Sequence, residues 1–195
     1  MTVAARAPRR WAWRLGLAVL VAATLVLLLA GPYRFLIGNA TGSTAGPARP
    51  APCLPGEAVT IMDSPHISPS QADQVRYNSL PPTSGPHFAF TAATGVYDEP
   101  VPDGLAVHAM EHGHVVISYA PDTPSAQREA LAGVARRYGA DVLLRPYPAL
   151  ADGIALTAWG RIELLDSYDE QRVVQFITAL RGRYDHGWTR PDDCP

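Results

Sequence analysis

The chain has 195 residues and a formal net charge of -2, a length that suits one ordinary domain with accessory segments and argues against two full domains. All 16 basic residues are arginines, and Arg6, Arg9, Arg10, Arg14 and Arg34 precede every one of the 18 acidic residues, the first of which is Glu57. The chain beyond Arg34 is therefore acidic and offers no electrostatic footprint for a phosphate backbone, which argues against nucleic acid as a partner.

Residues 1–10 read as a basic cytoplasmic tail. Residues 11–31, WAWRLGLAVLVAATLVLLLAG, are apolar but for Arg14. About twenty such residues at 1.5 Å per residue cross a hydrocarbon core of about 30 Å, so a transmembrane helix is expected here. The arginine excess on its N-terminal side keeps that side in the cytoplasm and places the rest of the chain outside the cell membrane. A cleaved signal peptide shares the order of charged then apolar residues, with Gly38 and Ala40 as small residues for a cleavage site. The length of the apolar run favours a retained anchor.

Residues 32–56 are rich in Gly, Ala, Ser, Thr and Pro and read as a partly extended linker, leaving 57–195 as an extracytoplasmic domain. The only two cysteines, Cys53 and Cys194, bracket that domain. In an oxidising compartment they predict a disulfide that ties its ends together, worth about 4 to 5 kcal/mol in the chain-entropy model, less any strain. A redox site is the alternative, against which stands the lack of a CxxC string.

Within the domain, Ala58 to Met62 is a short strand candidate. The passage SLPPTSGPHF at 79–88 holds Pro81, Pro82, Gly85 and Pro86 and predicts a rigid irregular loop; 95–104 is another turn-rich loop. LAVHAMEHG at 105–113 predicts a short helix closed by Gly113, and Val115 to Tyr119 a buried strand. Thr123 is a cap candidate for a helix with Pro124 at its first position, running to about Gly139. Asp141 to Leu144 and Ala155 to Leu165 read as strands, the second bent at Gly160, and Ser167 or Asp169 caps a last helix to about Arg183. The class is α+β: a small mixed sheet, two main helices and a short histidine-bearing helix.

Three of the six histidines crowd into HAMEHGH as His108, His112 and His114. On a helix, His108 and His112 share a face with Cβ atoms about 5 to 6 Å apart, a spacing that suits two imidazole ligands on one ion. Glu111 beside them can serve as a ligand, an acceptor for a ligand's second nitrogen, or a proton-transfer base. His66 and His87 sit in proline-stiffened backbone, which lowers the entropy lost on fixing a ligand. The expected constellation is His87, His108 and His112 on one ion, with His66 as the fourth ligand. His114, past Gly113, points elsewhere, and His186 reads as a surface residue.

These strings also resemble a family. PPTSGPH, a loop like GVYDEPVP, then VHAMEHG and the VVISY strand are similar to membrane-anchored bacterial proteins grouped as a domain of unknown function, whose marks are PPTSGPH and HALEHG. The resemblance runs from about His66 to ALTAWGR at 155–161 and on to the last helix. It implies that His66, His87, His108, Glu111 and His112 fall on marked positions, that His114 stands where the family often has a small or apolar residue, and that His186 has no such support. It implies no reaction.

Three functions follow as expectations. The first is an ectodomain with a copper or zinc site at His66, His87, His108 and His112, where Met62 or Met110 nearby would tilt the choice toward Cu(I). The second is a zinc-dependent hydrolase, since HAMEH matches the H-x-x-E-H string in which two histidines bind zinc and the glutamate, here Glu111, activates water. The third is a non-catalytic envelope module that binds a protein partner of unknown identity, with the histidines holding its loops.

Overall fold

A computed structural model describes residues 53–187. The apolar segment 11–31, most of the spacer, and Cys194 lie outside the described residues. Among the described residues no helix is long and apolar enough to cross a membrane.

The chain runs β1 (Glu57–Ala58), β2 (His66–Ile67), a 3-10 turn (Pro69–Gln74), β3 (His87–Phe88), β4 (Gly95–Val96), α1 (Asp103–Glu111), β5 (Val115–Tyr119), α2 (Ser125–Arg137), β6 (Val142–Pro146), β7 (Ile154–Ala158), β8 (Arg161–Leu165) and α3 (Glu170–Leu180). Six strands form a mixed sheet in the order β1-β8-β7-β5-β6-β4, and β2 and β3 form a separate parallel pair. The α+β expectation holds.

Side chains alternate between the faces of a strand, and β5 shows what each face meets. Val115, Ile117 and Tyr119 pack with Leu131, Val134 and Ala135 of α2 and with Val173, Phe176 and Ile177 of α3. Val116 faces the other way, against Ala106, Val107 and Met110 of α1 and against Trp159. Two helices thus cover one face of the sheet, and the histidine-bearing helix lies on the other.

The start of α1 is fixed from below by a buried polar group. Arg145 of β6 is fully buried and donates to Ser118 Oγ, to the Val101 carbonyl and to Asp103 Oδ1 at 2.8 Å, while Tyr147 Oη donates to Asp103 Oδ2 at 2.9 Å. A buried guanidinium is tolerated when its donors are satisfied. Here they clamp the first residue of the helix that carries the site.

Several sequence expectations shift. The strand expected at 58–62 is only Glu57–Ala58, because after Val59 donates to the Gly160 carbonyl the chain turns to the PPTSGPH loop, where Met62 N–H meets Ser84 Oγ at 3.0 Å. Residues 155–165 are a hairpin rather than one bent strand: Ala158 pairs with Arg161, and Gly160 at φ +65 makes the turn. Thr123 does not cap α2, since its hydroxyl turns to the Gly153 carbonyl, and the helix opens after Pro124. Asp169 does cap α3, accepting from Arg172 N–H at 3.1 Å, but that helix stops at Leu180 because Gly182 takes φ +63. Leu54, read as spacer, is buried in the core, and Arg161 donates to the carbonyls of Leu54, Pro55 and Gly56.

Candidate metal centre

The PPTSGPH segment is a buried post, with Thr83, Ser84 and His87 all inaccessible to solvent. The Thr83 carbonyl accepts from Gly160 N–H at 3.0 Å, and Tyr77 Oη donates to the Pro86 carbonyl at 2.7 Å. The rigid loop expected from its prolines is therefore also tied to the hairpin turn and to Tyr77.

At its end, His87 is the register partner of His66 in the parallel β2–β3 pair. Partners in register stand side by side on the same face, with neighbouring strands about 4.8 Å apart, and the two ring centroids lie 5.1 Å apart. From α1, the i, i+3, i+4 spacing puts His108, Glu111 and His112 on one face. Gly104, one turn before His108, lets α1 approach β3: a Cβ there would lie 2.9 Å from the Phe88 ring. The approach brings His108 Nδ1 onto the Phe88 carbonyl.

His66, His87 and His108 offer ligand nitrogens within 4.8 Å of one another. Four nitrogens at 2.0 to 2.1 Å from one ion stand about 3.3 Å apart, so this trio needs to close by at most about 1.5 Å, a movement within reach of side-chain rotation. His112 is outside the trio, but its Nε2 is 2.9 Å from His108 Nε2. His66, expected as the fourth ligand, thus completes the group in place of His112.

For His87 and His108 the chain fixes which ring nitrogen is left with a lone pair. His87 Nδ1 sits 2.9 Å from the Gly85 carbonyl and His108 Nδ1 against the Phe88 carbonyl. A carbonyl only accepts, so each Nδ1 carries the proton and each Nε2 of the neutral ring keeps a lone pair. His87 Nε2 then faces Glu111 Oε2 at 3.0 Å, but the approach is not a hydrogen bond, and Nε2 is a buried nitrogen with no hydrogen-bond partner. Protonation would supply the missing donor. Burial opposes it and lowers the His87 pKa, outweighing the Gly85 carbonyl and Glu111, which raise it.

Trp159 lines the closed side, edge-on to His87 at 6.4 Å and stacked on Tyr184 at 4.9 Å. His87 is shut from solvent while His66 and His112 are exposed, so the site is dry at one end and open at the other.

Sequence reasoning missed His186 and Asp185. His112, Asp185 and His186 form a second group with ligand atoms within 4.8 Å of one another, and His186 Nε2 lies 3.5 Å from Glu111 Oε2. Nothing in the string RYDHGW marks it. His114 belongs to neither group; it is half-buried, and burial lowers its pKa. Met110 is in the core beneath α1, and the Met62 sulfur lies against the Gly85 turn.

A family model described as protein of unknown function (DUF3105) matches residues 68–192. No curated protein and no solved structure matches the chain.

Proposed function

We propose that this chain, which belongs to the DUF3105 family of proteins of unknown function, is a membrane-anchored extracytoplasmic protein that binds a transition-metal ion through His66, His87 and His108. One observation carries the reading. The buried His87 Nε2 has no donor to meet, yet it stands beside Glu111 Oε2 at 3.0 Å and the His108 ring at 4.9 Å between centroids. Lone pairs converging at the buried end of the site need a cation between them, and with His87 held neutral by burial a metal ion fits better than a proton.

Imidazoles with a carboxylate suit zinc or copper(II). Met110, in the core, does not tilt the choice toward Cu(I). The arginine bias around residues 11–31 supports an N-terminus in the cytoplasm and a domain outside. Cys53 is not a free thiol, which supports its pairing with Cys194 in an oxidising space.

The test uses the full chain, purified from membranes in detergent without a histidine tag, stripped with chelator and reloaded with zinc or copper. Elemental analysis should find bound metal in wild type and its loss in His87→Ala and His108→Ala. Only trace metal in wild type would overturn the reading.

A hydrolytic reading draws on the 2.9 Å approach of His108 Nε2 and His112 Nε2, the pair that an H-x-x-E-H zinc site uses. Glu111→Gln separates the two: a hydrolase keeps its metal and loses turnover of peptide or ester substrates, whereas a binding protein shows no turnover in either form.

A further inference from the structure

We infer that the cluster is built for two ions, the second held at the exposed end by His112, Asp185 and His186 and joined to the first through the Glu111 carboxylate. The inference rests on the reading of His66, His87 and His108 as a metal site.

The two groups are linked twice. Glu111 Oε2 lies 3.0 Å from His87 Nε2 of the inner group and 3.5 Å from His186 Nε2 of the outer one, and His108 Nε2 of the inner group is 2.9 Å from His112 Nε2 of the outer. A carboxylate between two sets of imidazoles is the arrangement that bridges ions about 3.5 to 4 Å apart. One oxygen of Asp185 lies 3.1 Å from His186 Nδ1. That oxygen accepts a hydrogen bond from Nδ1–H, which leaves Nε2 of the neutral His186 ring with its lone pair toward Glu111, and the second Asp185 oxygen remains for an ion.

The chain makes a specific effort to bring His186 here. After α3 it turns at Gly182, whose N–H donates to the Gly113 carbonyl at 2.7 Å, and Tyr184 stacks on Trp159 with the rings 14° from parallel. His186 then takes φ +58, the only positive φ among the described non-glycine residues. Such a conformation is uncommon for a side-chain-bearing residue and persists where surrounding contacts impose it, often at a functional site.

The two positions differ in access. His87 and Glu111 are 0% and 8% exposed at their side chains, His186 55%. An inner ion backed by the buried His87 and His108 exchanges more slowly than an outer one whose histidines and aspartate are all exposed. Two imidazoles and two carboxylates form a donor set for zinc or copper(II). The outer position is the route by which an ion enters and leaves.

The test titrates the chelator-stripped, untagged full chain in detergent with zinc and, separately, with copper(II). Wild type should bind two equivalents, and its copper(II) form should give the electron paramagnetic resonance of a coupled pair. His186→Ala and Asp185→Ala, at exposed positions that burden the fold little, should each bind one equivalent and give the spectrum of an isolated copper(II). One equivalent in wild type overturns the second site while leaving the inner reading intact, and none overturns both. Two equivalents retained in His186→Ala overturn the assignment of His186.

Discussion

Gly113 joins the site helix to the segment that carries His186, and replacing it with alanine tests that junction. At φ +85 a side chain in the left-handed region costs about 1 to 2 kcal/mol. The added Cβ would also lie 2.7 Å from Tyr184 O and 3.0 Å from Gly182 Cα, both backbone atoms, so relief requires the 182–186 segment to retreat. Retreat gives up the Gly182 N–H bond to the Gly113 carbonyl, about 0.5 to 1.5 kcal/mol, and the Tyr184–Trp159 stack, about as much again. The sum is a loss of about 2 to 5 kcal/mol, or a fall in Tm of about 10 to 15 °C for a domain of this size. Gly133→Ala is the control, because in α2 a Cβ at Gly133 meets nothing within 4 Å, and the gain in helix propensity of up to about 1 kcal/mol should raise Tm. Thermal unfolding of the metal-free chain reads both. A Gly113→Ala protein as stable as wild type, or shifted in the same direction as Gly133→Ala, would refute the reasoning.

Asp103→Ala removes the carboxylate that, among the described residues, is bonded to the buried Arg145. Because Asp103 is 28% exposed at its side chain, the loss should be about 2 to 3 kcal/mol rather than the full cost of breaking a buried pair. The urea midpoint checks it, and an unchanged midpoint counts against the clamp. For pH, His87 and His114 both have pKa values lowered by burial from 6.5, so below that value the unfolded chain binds more protons than the folded one. Stability of the metal-free protein should therefore fall as pH drops beneath about 6.5 and recover on return. The exposed His186, whose pKa is raised first by its hydrogen bond to Asp185, acts in the opposite sense and contributes little in solvent. A urea midpoint that rises between pH 7.5 and 5.5 would contradict this sign. Thiol labelling of denatured, unreduced full chain should give no signal if Cys53 and Cys194 are paired, and two reactive thiols per chain would exclude the bridge.

What could be read in the sequence follows from the range over which each signal acts. The helix of HAMEHG was visible because its spacing and its closing glycine are local, and α1 indeed ends at Glu111 with Gly113 in the left-handed region. The pairing of His66 with His87 was not, since two-residue strands have no period to detect and their register is set by the folded chain. The apolar run at 155–165 looked like one strand because both arms of the hairpin contribute buried residues, and a single glycine between them reads as a bend as readily as a turn. His186 lies far along the chain from Glu111, and only the return of the chain over Gly113 brings the two together.

The β2–β3 pair also bears on how this protein can change over time. His66 and His87 are held by backbone register, while the excursion between them begins with a 3-10 turn that buries none of its residues. The cost of closing a loop grows only with the logarithm of its length. Insertions or deletions at 69–74 can therefore reshape the surface beside the histidines and leave their geometry untouched, so long as PPTSGPH and the ladder are kept. That gives descendants of this chain a place to try new neighbours for an old site.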